Sequence, residues 1–148
     1  MQNRFVTIAG LAVLVGSIAG CSSSTPAAPA RPPGALPVGT GQVTVDAADA
    51  ATIGSVNCIQ SESLVTITAG DNASGMTAVV DLASKPTVKS VSIHNLGRFT
   101  GSYWQDLGPA AQVRTGTQTY QITGSVDGFH VDTPSFRKTE TFAIKVAC

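Results

Sequence analysis

The side chains in this chain able to do chemistry are three cysteines, two histidines and nine carboxylates, and their spacing separates their uses. Cys21 closes a hydrophobic run, while Cys58 and Cys148 stand far apart on strand-like segments. None belongs to a C-x-x-C, and the histidines, His94 and His130, match no zinc spacing with them. A nucleophile needs a base and an orienting group within reach. The serines offer none of this locally, because Gly124-Ser125-Val126-Asp127-Gly128 has the wrong offset for a G-x-S-x-G elbow. His94 falls on the outward parity of its segment and His130 follows a turn signal, so both read as surface residues. Asp46, Asp49, Asp81, Asp106, Asp127 and Asp132 fall mostly at strand ends or turns, where aspartate bends the chain. Glycine-rich phosphate loops are missing. The expectation is a protein without catalysis, cofactor or metal.

Cys21 asks for a different chemistry. Phe5 to Ala19 carries no charge and is rich in small and aliphatic residues, with Arg4 before it. That is the plan of a secretory signal, and the run is too short for a span of ~20 residues. Its close, Ile18-Ala19-Gly20-Cys21, resembles the lipobox of bacterial lipoproteins: an aliphatic residue, two small ones, then cysteine. The resemblance implies a thioether-linked diacylglycerol on Cys21, cleavage after Gly20 and acylation of the new amino terminus. Several acyl chains anchor firmly, at about 0.8 kcal/mol per buried CH2. The competing reading is a plain secreted protein in which Cys21 is incidental.

The elements follow from this address. Residues 1–20 read as signal and 21–40 as a tether holding five of the eight prolines, too poor in bulky hydrophobes to bury a core. Ser22, Ser23, Ser24 and Thr25, next to Pro26, are candidate O-glycosylation sites, against an unmodified tether. Removing residues 1–20 takes only Arg4 from nine Lys and Arg and leaves nine Asp and Glu, a net of −1. With 12% charged residues and no basic patch, nucleic acid is not a partner this composition favours.

Residues 41–148 read as one mainly β domain, a single antiparallel sandwich or half-barrel. Alternation places Val65 and Ile67 on one face, as it does Met76, Ala78, Val80 and Leu82. Val91 and Ile93 share a face, as do Tyr120, Ile122 and Val126, and Phe142, Ile144, Val146 and Cys148. Turn signals separate these runs, among them Asp127-Gly128. One short helix is expected near 132–138, with Asp132 or Thr133 as cap and Pro134 in its first turn.

With Cys21 taken by lipid, Cys58 and Cys148 remain as an even pair in an oxidising setting. A disulfide between them would close about 90 residues, worth ~4–5 kcal/mol in the chain-entropy model. Two buried free thiols are the alternative. Phe99, Tyr103 and Trp104, in a loop-like stretch, form a candidate ligand groove for an acyl chain or glycolipid. The plainer reading has Trp104 plugging one end of the core. A third has an outward Thr/Ser face serving adhesion.

The lipobox, the tether and the segments GSVNC (54–58), PTVKSVSIHNL (86–96), YQITGSVDG (120–128) and FAIKVAC (142–148) together resemble the mycobacterial 19 kDa lipoprotein antigen family. The resemblance implies an exported, lipid-anchored protein facing the periplasm or cell surface, often glycosylated and without established enzymatic activity. It also implies an acylated amino terminus sensed by host Toll-like receptors. Envelope lipid is the other partner considered. The tether departs from the family in having fewer threonines, and Tyr103-Trp104 has no match in it.

Overall fold

The computed structural model describes residues 34–48 and 51–148. Cys21, Ser22, Ser23, Ser24, Thr25 and Asp49 therefore lie outside the described residues. Ten strands form one antiparallel sheet: β1 (Thr40–Val45), β2 (Ala51–Ile53), β3 (Asn57–Ser61), β4 (Leu64–Gly70), β5 (Gly75–Asp81), β6 (Thr87–Leu96), β7 (Phe99–Trp104), β8 (Gln112–Thr115), β9 (Thr119–His130) and β10 (Lys138–Ala147). Their order is β2-β1-β10-β9-β7-β6-β5-β4-β3, with β8 paired to β9 beside β7. The outermost strands β2 and β3 are separated in sequence only by residues 54–56, so the sheet must curl back on itself. The result is a half-barrel.

Period-two patterning builds the interior. Val65, Ile67, Met76, Ala78, Val80, Val91, Ile93, Ile122, Val126, Phe142, Ile144 and Val146 are all buried, as their parity requires. Leu82 and Tyr120 pack at the margin. A register shift opposite Val79 and Val80 inserts one extra residue, Lys89, into β6. It allows Val88 and Val91, three positions apart, both to point inward at 0% exposure.

Three local expectations are overturned. Residues 132–138 form no helix; Thr133 N–H donates to the His130 carbonyl and Phe136 N–H to that of Thr133, giving successive turns. Asp132 is engaged in an ion pair with Arg98 rather than in capping. Asp127-Gly128 is not a turn, because β9 runs through it to His130. Residues 99–104 are a strand, not a loop.

The last two share one cause. Gly101 of β7 faces Gly128 of β9, and the Phe99 ring lies across both. A Cβ on Gly101 would come within 2.6 Å of that ring, and one on Gly128 within 2.1 Å of the Thr100 carbonyl oxygen. The paired glycines make room for an aromatic side chain, so neither acts as a break.

Cys58, on β3, and Cys148, just beyond β10, lie at disulfide distance with Cα atoms 5.7 Å apart. Cys148 N–H also donates to the Gln118 carbonyl at 2.8 Å. The pair joins one margin of the sheet to a strand near the other.

Candidate functional site

The most developed concavity near the aromatic residues follows from a fork in the sheet. β10 pairs with β9 from Thr119 to Gly128, but on its other side β9 changes partner. Residues 120–123 pair with β8 and residues 127–130 with β7. At Gly124, Ser125 and Val126 neither ladder continues. The chain from β7 to β8 swings out there, and Ala111 closes over Gly124, where an added Cβ would come within 2.8 Å.

That connection is fixed by hydrogen bonds. Gln105 N–H donates to the Lys89 carbonyl at 2.8 Å and Leu107 N–H to that of Trp104 at 3.2 Å. Ala111 N–H donates to the Tyr103 hydroxyl at 3.1 Å, so a largely buried side chain holds the loop from below. The space between loop and sheet is a cleft of about 360 Å³ lined by Ser102, Tyr103, Trp104, Leu107, Gly108, Pro109, Ser125, Asp127 and Thr139.

The three aromatics expected to act together are divided by the pleat. Phe99 is 0% exposed and Tyr103 6%, whereas Trp104 is 59% exposed. Trp104 is therefore not the plug of the core; Phe99 and Tyr103 fill that space. Tyr103 and Trp104 line the cleft, and Phe99 does not. Leu107, Gly108 and Pro109 form the loop wall, and Ser102, Ser125, Asp127 and Thr139 line the sheet side, with the Thr139 hydroxyl donating to the Asp127 carboxylate.

The opposite face of the same strands holds a polar cluster with no local motif in the sequence. Glu140 is only 4% exposed. Its carboxylate takes the Lys138 ammonium at 2.7 Å and faces His130 Nε2 at 3.4 Å. The Lys138 hydrogen bond holds the Glu140 carboxyl below its usual value of 4.5, with smaller help from His130 and Asp46 against the cost of burial. The same contact raises Lys138. His130 is half-buried at the end of β9, edge-on to Phe99 with ring centroids 5.3 Å apart, and not the surface residue after a turn that was expected. Only the inward parity of Glu140 with Phe142 and Ile144 could have flagged this cluster beforehand.

His94 is exposed on β6 and borders a shallow hollow of about 260 Å³ with Asp71 and Ser92. Asp71 accepts backbone N–H groups from Ser74 and Ala73, which keep its carboxyl below the usual range. Among the described residues, no three or more His, Cys, Asp or Glu side chains gather as metal ligands.

Residues 34–148 match the Mycobacterium 19 kDa lipoprotein antigen family. A putative lipoprotein of Mycobacterium avium subsp. hominissuis (strain TH135) is 34% identical over 149 residues, covering 100% of this chain and 97% of the relative. Lipoprotein LpqH of Mycobacterium tuberculosis (strain H37Rv) is 32% identical over 162 residues, covering 97% of this chain and 96% of its own. LpqH of Mycobacterium avium is 31% identical over 158 residues. The class is the mycobacterial lipoprotein antigen. This chain belongs to the Mycobacterium 19 kDa lipoprotein antigen family.

Proposed function

We propose that the protein is a non-catalytic display module of the cell envelope, anchored through acylated Cys21 and held out on residues 21–40. The observation that carries this is Ile18-Ala19-Gly20-Cys21 at the end of an uncharged run, in a chain of a lipoprotein family. The β domain supports it, since its interior is filled by side chains such as Phe99, Ile67, Ile93, Ile122 and Ile144. Its outer surface is what a partner would meet. Host Toll-like receptors would meet the acylated amino terminus instead, independently of the fold.

Carriage of an acyl chain or glycolipid is the second reading, and the cleft beside Trp104 is what favours it. That cleft is partly polar and lies on the outer face, which suits an extended acyl chain less well than display suits the domain. Cys21→Ala separates anchoring from mere secretion. The wild type should enter the detergent phase and the variant the aqueous phase after temperature-induced separation. A variant that stays with the detergent would mean that the hydrophobic run, and not a lipid, is the anchor.

A further inference from the structure

The Trp104 cleft has a chemistry that neither the anchor nor the core requires. Its wall carries two exposed apolar side chains, Trp104 at 59% and Leu107 at 79% exposure. A single exposed hydrophobe needs no explanation. Here the tryptophan stands beside a row of hydrogen-bonding groups contributed by three adjacent strands: Ser102 from β7, Ser125 and Asp127 from β9, and Thr139 from β10. The loop opposite is already held by Tyr103, so a ligand would not have to order it first. The volume of about 360 Å³ falls within the ~300–1,000 Å³ typical of small-molecule sites.

The pairing of an aromatic plate with hydroxyls and one carboxylate selects among ligand classes. An acyl chain would cover Trp104, but it would also take water from Ser125 and from the acceptor sites of Asp127 that Thr139 leaves open, and return no hydrogen bond, which is unfavourable. A pyranose ring matches both sides, with a C–H face for the indole and hydroxyls for the carboxylate and the serine and threonine side chains. Asp127 makes no ion pair among the described residues, and its charge favours hydroxyl donors over anionic ligands. We infer that the fork between β7 and β8 is a saccharide-binding site, taking the C–H face of a neutral sugar against Trp104 and its hydroxyls toward Asp127 as the principal acceptor.

The sugar could come from a free glycan or from the headgroup of a glycolipid, and the test separates these sources. Trp104 is the single tryptophan of the chain, so its fluorescence reports this site alone. The mature acylated protein, held in a zwitterionic detergent free of sugars, is titrated with maltose, isomaltose, cellobiose and mannobiose, with glucuronic acid, and with octyl glucoside and an octyl phosphocholine. A saturable shift of emission to shorter wavelength is expected with at least one neutral disaccharide. Calorimetry should show that binding weakened at least tenfold by Trp104→Ala and by Asp127→Asn, and weakened less by Trp104→Phe. Binding of octyl glucoside without any free sugar would support the site with a glycolipid headgroup as its source. Octyl phosphocholine binding as tightly as the glucoside would overturn the inference in favour of the chain, and glucuronic acid exceeding the neutral sugars would overturn the role of Asp127. Silence of every free sugar and of octyl glucoside also overturns it. None of these outcomes bears on Cys21, whose test is fractionation.

Discussion

The two faces of strands β7, β9 and β10 are made by the same backbone and behave as different materials. Inward lie Phe99, Tyr103, Ile122, Val126, Phe142 and Ile144, closed at one end by Glu140. Outward, one residue away in each strand, lie Ser102, Trp104, Ser125, Asp127 and Thr139. A shift of one position would exchange the two sets, which is why register is strongly specified wherever one face is buried. Tyr103 shows the link between them: its ring is in the core and its hydroxyl holds the loop that walls the outer cleft. The inner face therefore supplies stability and the outer face supplies chemistry. Substitutions should show the difference as a graded series.

The largest effect belongs to the covalent joint at the end of the inward row. Replacing Cys58 and Cys148 with serine should cost ~4–5 kcal/mol by the chain-entropy argument. Urea unfolding measures it, and non-reducing peptide mapping should recover the two cysteine peptides linked. Free alkylation of both thiols in the folded protein would remove the joint from the inner face.

Phe99→Ala comes next, at ~3–5 kcal/mol, because a fully buried ring is lost above two glycines unable to fill its place. Equal costs for Phe99→Ala and Trp104→Ala would break the comparison outright.

Glu140 tests the polar end of the inner face. Its carboxyl titrates lower in the fold than in the unfolded chain, so its contribution is complete above the ordinary value of 4.5. That contribution is lost as pH falls through the lowered folded value. Asp71 and Asp81 are shifted in the same direction and add to the same acid limb. Glu140→Gln should therefore lower stability at pH 7 by about 1 kcal/mol, since the Lys138 partner is exposed to solvent. The difference from wild type should shrink in unfolding curves taken progressively below pH 4.5. A pH-independent gap would place the cost in packing and not in charge.

Trp104→Ala closes the series, with a change within about 0.5 kcal/mol in thermal or urea unfolding. A loss of several kcal/mol would return Trp104 to the core.

How much of this could be read in advance depends on how regularly each strand alternates. β4, β5 and the second half of β10, from Phe142 to Val146, show an unbroken inward row, and the sequence carries their burial directly. β7 hides its row because its middle inward position is Gly101, whose missing side chain is supplied by the ring of Phe99 two residues earlier. Gly128 looked like a turn for the complementary reason: its small size serves β7 across the ladder, a long-range demand with no local signature. The expectation of a helix over 132–138 weighed a cap and a proline but had no view of Arg98, which takes Asp132. At the candidate site the aromatic residues were visible and their division was not. The Ser125, Asp127 and Thr139 lining was out of reach, because it depends on where β9 changes partners.

The route by which the chain enters the domain has a mechanical consequence. Lys145 Nζ donates to the Gly34 carbonyl at 2.9 Å, and Gly39 N–H to that of Ala147 at 2.8 Å. From Thr40 to Val45, β1 then lies antiparallel to Ala147 back to Phe142. Ladder bonds of this kind run across the strands. A pull arriving from the N-terminal side along β1 thus loads the rungs together in shear, instead of opening them one after another. The load passes into β10 beside Cys148, the residue positioned to hand it on to β3. A domain tugged from its tether would be gripped along a whole strand, which is the arrangement that best withstands drag.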